Sequence, residues 1–310
     1  MRPTAILGPQ RHQPCVRAAL DSVAPRDDRP IALISAGWEE RELEHDELAE
    51  HVAGRVANLE VFGRVEDVYR IDPELHGAVR ARNDRIRRLQ SLYRERLAHG
   101  LEAARAMLRA SGDPDLIEPE RADAIDVVRA IDRHHLERLQ RIHHEFWSRW
   151  RPENRPSIAR HRRELLATLR TCRALCVAGG HVAILLNRLR LLGVLDLLPN
   201  MPVVAWSAGA MALANRVVLF HDHPPQGAGN AEVFEAGLGL LSQVVVLPHA
   251  HHRLRLEDPA RVTLLARRFA PDQCLALFGG ERLEWSADRW RPFGTCRVLR
   301  EDGQVVEVAA

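Results

Sequence analysis

The chain has 310 residues with 44 basic and 42 acidic side chains, and all 44 basic side chains are arginine. The absence of lysine excludes Schiff-base enzymes, pyridoxal-phosphate anchoring, Ser–Lys dyads and the P-loop, because each of these needs a lysine amine. A hydrophobic content of 46% and a net charge of only +2 are typical of a globular protein, and they require neither a nucleic-acid nor a membrane partner.

The five cysteines are scattered and odd in number. This pattern argues against a disulfide framework, so we expect the reducing cytoplasm as the location of the protein. No apolar run approaches the roughly 20 residues that a transmembrane helix needs. We therefore expect no membrane partner.

The first part of the chain, residues 1–75, reads as the beginning of an α/β domain. Short apolar runs at 4–8 and 31–35 predict buried strands, with a helix around 14–21 between them. An acidic amphipathic helix over 39–57 and a further strand at 59–62 are expected to follow. The acidic run at 39–50 either faces the ligand-binding edge of the sheet or is a solvated helix face, and we favour the solvated face.

Residues 76–172 predict a helical insertion. Apolar side chains recur at helical spacing from Ile86 to Leu108 and again from Ile125 to Phe146, with a turn at 111–115 between them. A third helix is expected at roughly 157–171. Residues 80–170 contain 21 arginines and 14 acids, whereas the rest of the chain has 23 and 28. The acidic residues interleaved with these arginines disfavour nucleic-acid binding. A solvated surface, a homodimer contact and a lid over the site remain as interpretations of the insertion.

Strands alternate with helices again over 173–310. The apolar runs at 175–180, 202–206, 244–248 and 274–278 predict strands, and two more are expected near 295–300 and 304–308. This alternation predicts an α/β fold whose mostly parallel sheet is covered by helices on both faces and is interrupted by the helical hairpin.

The stretch VVAWSAGAM at 203–211 carries the clearest chemical signal. A buried strand runs directly into Ser207, and small residues on both sides permit the sharp strand-to-helix turn of a nucleophile elbow. The alternative is a tight junction whose serine only caps the helix, and the motif alone does not decide between the two.

Two neighbouring features favour the catalytic reading. Gly179 and Gly180 end the preceding strand, where backbone N–H groups can line an oxyanion site. His249 is the first residue after the strand at 244–248, and we expect it to reach Ser207 across adjacent strand ends of one sheet.

The combination of AGGH, AWSAGAM, AGLGLL and a strand that ends in PH and is followed by two arginines resembles the dipeptidase E and cyanophycinase family of serine peptidases. The resemblance covers about residues 174–285 and implies a class I glutamine amidotransferase-like, flavodoxin-like fold without a cofactor. It implies Ser207 as nucleophile, His249 as general base and the N–H groups of Gly180 and Ala208 as the oxyanion hole. Serine at the elbow, where the amidotransferases have cysteine, argues against ammonia chemistry.

The chain departs from the family at two places. His181 stands where the family commonly has asparagine, and Phe278 and Gly279 stand where it often has an acidic pair. We expect Glu281 to replace the missing acid, with Asp222 and Glu257 as weaker candidates.

The resemblance also implies substrate-binding residues. Arg253 and Arg255, together with His181, are the candidates, and the two arginines could bind a substrate carboxylate. A surface ion pair with Glu257 or Asp258 is the alternative role for these arginines.

These observations predict a serine hydrolase that cleaves an amide in a small acidic peptide or isopeptide, with a small peptide-like substrate and no metal. A non-catalytic relative that binds partners through its basic insertion is one alternative. An esterase or acyltransferase that uses the same Ser–His pair is the other.

Overall fold

The computed structural model describes residues 2–222, 229–286 and 289–309. It confirms the predicted fold class, since a mostly parallel central sheet is flanked by helices and interrupted by a long helical insertion. The strands are β1 Thr4–Leu7, β2 Ile31–Ile34, β3 Val56–Asn58, β4 Ala174–Val177, β5 Val203–Trp206, β6 Arg216–Leu219, β7 Glu232–Ala236, β8 Val244–Pro248, β9 Gln273–Leu277, β10 Arg282–Ser286, β11 Arg289–Pro292, β12 Thr295–Leu299 and β13 Val305–Ala309. The helices are α1 Val16–Val23, α2 Asp46–Val52, α3 Val61–Ile71, α4 Pro73–Arg109, α5 Pro114–Trp150, α6 Pro156–Thr171, α7 Val182–Leu192, α8 Ala208–Leu213, α9 Ala250–Arg253 and α10 Pro259–Phe269.

The central sheet has seven strands in the order β11-β10-β1-β5-β4-β2-β3. The five strands from β1 to β3 in this order are parallel, and β10 and β11 are antiparallel to their neighbours. Strands β3, β2, β4 and β5 follow the 2-1-3-4 order of flavodoxin-like sheets. Because the five strands are parallel, the loops that leave β1, β2, β4 and β5 meet at one edge.

Successive residues of the central strands pack on opposite faces of the sheet, as the two-residue repeat of a strand requires. In β1, Ile6 belongs to the core beneath α3 and α7, whereas Ala5 and Leu7 pack against α1 and α2. All four residues of β1 are buried. Burial on both faces explains why these strands are continuous apolar runs.

Strands β8 and β9 lie in a second sheet of order β13-β12-β9-β8. We predicted that the strand preceding His249 would belong to the sheet that carries Ser207, and this was wrong. Strand β8 pairs in parallel with β9, and β9 pairs antiparallel with the C-terminal strand β12.

The prediction for residues 39–62 was also wrong in part. Residues 36–41 form a short 3-10 segment, α2 covers only Asp46–Val52, and β3 takes up Val56–Asn58. The apolar run at 59–62 is not a strand, because Val61 begins α3, in which Val61, Val65 and Val68 are buried at helical spacing.

The insertion forms an antiparallel hairpin of α4 and α5, followed by α6. A buried ion pair joins the hairpin to the body, because the Arg268 guanidinium donates to the Asp132 carboxylate at 2.6 and 2.7 Å. The Tyr93 hydroxyl donates to the same carboxylate at 2.7 Å and accepts the backbone N–H of Val233. The hairpin is therefore fixed to α10 and β7. Among the described residues, no helix has the length and apolar character to cross a membrane.

Candidate active site

Ser207 adopts a backbone conformation that is rare for a residue with a side chain. Its φ is 48° and its ψ is −123°, directly between β5 and α8. The side chain makes no capping hydrogen bond to α8. The structure therefore does not support the reading in which Ser207 merely caps the helix, and the strained turn has the geometry of a nucleophile elbow.

Close backbone contacts explain the small residues around the elbow. A Cβ on Gly209 would lie 2.3 Å from the carbonyl oxygen of Val177, so only glycine lets α8 approach the end of β4 this closely. A Cβ on Gly179 would lie 3.0 Å from the Cβ of Ser207. The glycine turn after β4 is thus packed directly against Ser207.

The Gly180 turn is held from the other side by the segment after β2. Gly180 has a φ of 113°, and a Cβ on it would lie 2.2 Å from the carbonyl oxygen of Gly37. The same oxygen accepts the His181 N–H at 2.7 Å. In the turns and caps of the described chain, the N–H groups of Gly180 and Ala208 donate to no carbonyl, which leaves both available to a ligand.

Ser207, Gly179, Gly180 and His249 line one cleft of about 600 Å³. His249 reaches this cleft from the second sheet, because β8 ends beside the central sheet edge. No residue of the helical insertion is among those that line the cleft. The reading of the insertion as a lid over the site therefore has no support in this structure.

His249 is half-buried and has a φ of 57° at the start of the short helix α9. Burial, followed by the charges of Arg253, His251 and His252, lowers the pKa of His249 from 6.5 to about 4. No carboxylate of the described residues contributes to this pKa. The imidazole is therefore neutral at neutral pH and can accept a proton, and no acid within the described ranges orients it.

The structure does not bring Glu281 to His249. The Glu281 carboxylate accepts the backbone N–H of Phe278 at 2.7 Å and forms an ion pair with Arg297. Asp222 is likewise engaged, because it accepts from the Arg261 guanidinium at 2.6 Å and from the backbone N–H of Arg255. Both candidate acids have other partners.

The three predicted substrate-binding residues do not line the cleft. Arg253 ends α9 and Arg255 follows it, both are exposed, and within the described chain neither forms an ion pair with Glu257 or Asp258. The His181 ring accepts the backbone N–H of Ile184 at 3.3 Å and so caps α7. His181 therefore has a structural role at the helix start.

The cleft walls on either side of Ser207 were not predicted from the sequence. The connection after β1 contributes Gln10 and Arg11, and the segment after β2 contributes Trp38, Glu44 and Glu47. Glu44 and Glu47 of the acidic run at 39–50 line the cleft at the sheet edge, and both are also exposed to solvent. The position of this run after a buried strand was the signal that indicated the sheet edge.

Within the described ranges, no group of three or more His, Cys, Asp or Glu side chains could hold a metal ion. Two buried or half-buried histidines of the insertion contact other side chains. His135 stacks on Tyr93 at a centroid distance of 4.0 Å, and His143 forms a hydrogen bond with Glu235.

Comparison with known proteins adds little to this geometry. No family model matches the chain, and no curated protein matches it. A solved peptidase from an acI-B1 Actinobacterium is similar over 72% of this chain and 88% of its own, with 14% identity and a TM-score of 0.33. A likeness this weak carries no argument about function.

Proposed function

We propose that the protein is a serine hydrolase of peptidase type that cleaves an amide in a small acidic peptide or isopeptide. One observation carries the proposal: Ser207 lies in a strained elbow, without a capping bond, in a cleft that it shares with His249 and the Gly179–Gly180 turn. Strain of this kind persists where the surrounding structure over-determines it, and it concentrates at functional sites.

In the proposed reaction, His249 takes the hydroxyl proton of Ser207 while Oγ attacks the acyl carbon. The carbonyl electron pair moves to oxygen, where the N–H groups of Gly180 and Ala208 stabilise the charge. Collapse breaks the C–N bond, and the proton on His249 passes to the leaving amine. Water then hydrolyses the acyl-enzyme with His249 as base.

In the part of the chain that the structure describes, no carboxylate acts on His249. This favours a second candidate, a non-catalytic relative that binds partners through its insertion, for example a second copy of the chain. Losing the acid of a Ser–His–acid triad lowers the rate by about 10⁴-fold in the enzymes where it has been tested.

Covalent labelling with a fluorophosphonate, followed by mass mapping, tests the proposal. We expect adduct on Ser207, and none after Ser207→Ala or His249→Ala. Ser35 serves as the internal control, because it also follows a parallel strand but is buried and donates to the carbonyl of Glu42. A folded protein without adduct on Ser207 would refute the hydrolase. Turnover of Asp-X and β-aspartyl peptides, compared with simple esters, then separates a peptidase from an esterase.

A further inference from the structure

The cleft beside Ser207 contains charged side chains of both signs. Its charged lining residues are Arg11, Arg41, Glu44 and Glu47. Two of these neutralise each other, since Nε and Nη2 of Arg41 both donate to one oxygen of Glu44, at 2.8 and 2.6 Å. This pair leaves little charge for a ligand.

Arg11 and Glu47 remain without such compensation. Both side chains are exposed, and neither has a hydrogen bond or ion pair within the described ranges. His51, which also lines the cleft, accepts the backbone N–H of Arg17 at 3.3 Å. His249 is uncharged at neutral pH, because its pKa is lowered to about 4. Arg11 is thus the uncompensated cation of the described cleft lining, and Glu47 is the uncompensated anion.

The two charges belong to different connections of the central sheet. Arg11 lies in the connection after β1 and Glu47 in α2, which follows β2, while β5 and β4 lie between these strands in the sheet. The two connections meet above the sheet, since His51 of α2 accepts the backbone N–H of Arg17 in α1. Ser207 and Gly180 follow the two intervening strands and line the same cleft as Arg11 and Glu47.

We infer that Arg11 and Glu47 determine the specificity of the proposed hydrolase and orient a dipolar substrate across Ser207. Arg11 binds a substrate carboxylate, and Glu47 binds an amine or guanidinium at the other end. A peptide backbone extends by about 3.5 Å per residue, so a dipeptide that carries both kinds of charged group is short enough for a cleft of about 600 Å³. The inference rests on the proposed function and moves carboxylate recognition from Arg253 and Arg255 to Arg11.

Binding of small dipeptides to the Ser207→Ala protein, measured by calorimetry, tests this assignment. The reference probe is Asp–Arg. Asn–Arg amide lacks both carboxylates, and N-acetyl-Asp–citrulline lacks both cations, with little change in size. We expect Arg11→Gln to weaken Asp–Arg binding about tenfold or more and to leave Asn–Arg amide binding unchanged. Glu47→Gln should weaken Asp–Arg similarly and leave N-acetyl-Asp–citrulline unchanged.

Two matched controls distinguish a specific contact from the general field of the surface. Arg253→Gln removes an exposed cation near His249, and Glu50→Gln removes an exposed acid from the same helix as Glu47. We expect both to bind Asp–Arg as the parent protein does. Equal losses for all probes, wild-type affinity in Arg11→Gln, or no measurable binding of Asp–Arg to the parent would each overturn the inference.

Fluorophosphonate labelling keeps the two proposals apart. Arg11→Gln and Glu47→Gln should be labelled at Ser207 at the wild-type rate, because the small uncharged reagent needs neither wall. If wild-type protein is not labelled, the hydrolase fails. If it is labelled but the dipeptide affinities do not respond to Arg11 and Glu47, only the assignment of specificity fails.

Discussion

The strain at Ser207 gives a prediction that does not depend on any substrate. A residue with a side chain held at a φ of 48° and a ψ of −123° costs about 1–3 kcal/mol, which glycine avoids. Glycine loses about 0.5–1 kcal/mol through the greater entropy of the unfolded chain. With both values at mid-range, Ser207→Gly should therefore have a free energy of unfolding about 1.3 kcal/mol higher than that of Ser207→Ala, which keeps the strain.

Urea denaturation measures this difference. With an m-value of about 3 kcal/mol/M, the midpoint of Ser207→Gly should lie about 0.4 M above that of Ser207→Ala. Glu39 provides a parallel case, because its φ of 60° and ψ of −127° nearly reproduce those of Ser207. The free energy of unfolding of Glu39→Gly should exceed that of Glu39→Ala by a similar amount.

Ser91, which is exposed in the middle of α4, provides the unstrained reference. At that position the order reverses, and the glycine variant should have a free energy of unfolding about 1 kcal/mol lower than that of the alanine variant. If Ser207→Gly were no more stable than Ser207→Ala while the Glu39 pair behaved as expected, Ser207 would carry no strain. The elbow would then lose its physical basis.

Three further predictions concern charged groups. The rate of Ser207 labelling should fall as the pH drops through about 4, well below the ordinary histidine range, because protonation of His249 removes the base and its pKa is lowered to about 4. Glu281→Gln should change the labelling rate less than twofold, yet lower the free energy of unfolding by about 1–3 kcal/mol through the lost ion pair with Arg297. Arg268→Met should destabilise the protein by about 3–5 kcal/mol in urea, because it leaves the buried Asp132 carboxylate unpaired, and adding Asp132→Leu should recover part of the loss.

Each of these has a clear contrary result. An acid limb near pH 6.5 would show that His249 is less buried than described or is not the base. A loss of 100-fold or more in labelling of a folded Glu281→Gln protein would return Glu281 to the mechanism. If the double variant Arg268→Met, Asp132→Leu is no more stable than Arg268→Met alone, the loss of stability does not come from the unpaired carboxylate of Asp132.

Local features of the site could be predicted from the sequence. The elbow is encoded by adjacent residues, because small side chains on both sides of Ser207 are what a sharp strand-to-helix turn needs. The turn at Gly180 is also encoded locally, because its φ of 113° is one that glycine adopts readily. The run at 59–62 was misassigned, because a short apolar run cannot distinguish a strand from the first turn of a buried helix.

Features that depend on strand pairing could not be predicted. The sequence indicates that residues 244–248 form a strand, but not that this strand pairs with β9 in a separate sheet. The walls of the cleft depend in the same way on β1 lying beside β5 and β2 beside β4. The roles proposed for Arg11 and Glu47 can therefore be inferred only when the order of the sheet is known.

The question of the catalytic acid shows why pairing matters for chemistry as well as for fold. Glu281 lies four residues after the end of β9, close to the position at which the acid was expected. Strand β12 pairs with β9 so that Arg297 is opposite Ala276, and this brings a guanidinium to the Glu281 carboxylate. A carboxylate that already binds an arginine and a backbone N–H gains little from exchanging them for an imidazole that is neutral at neutral pH because its pKa is near 4. This arrangement thus accounts for the engaged acid, whereas burial and the charge of Arg253 lower the pKa of His249. Any activity must come mainly from the elbow, the two backbone N–H groups and an unassisted histidine.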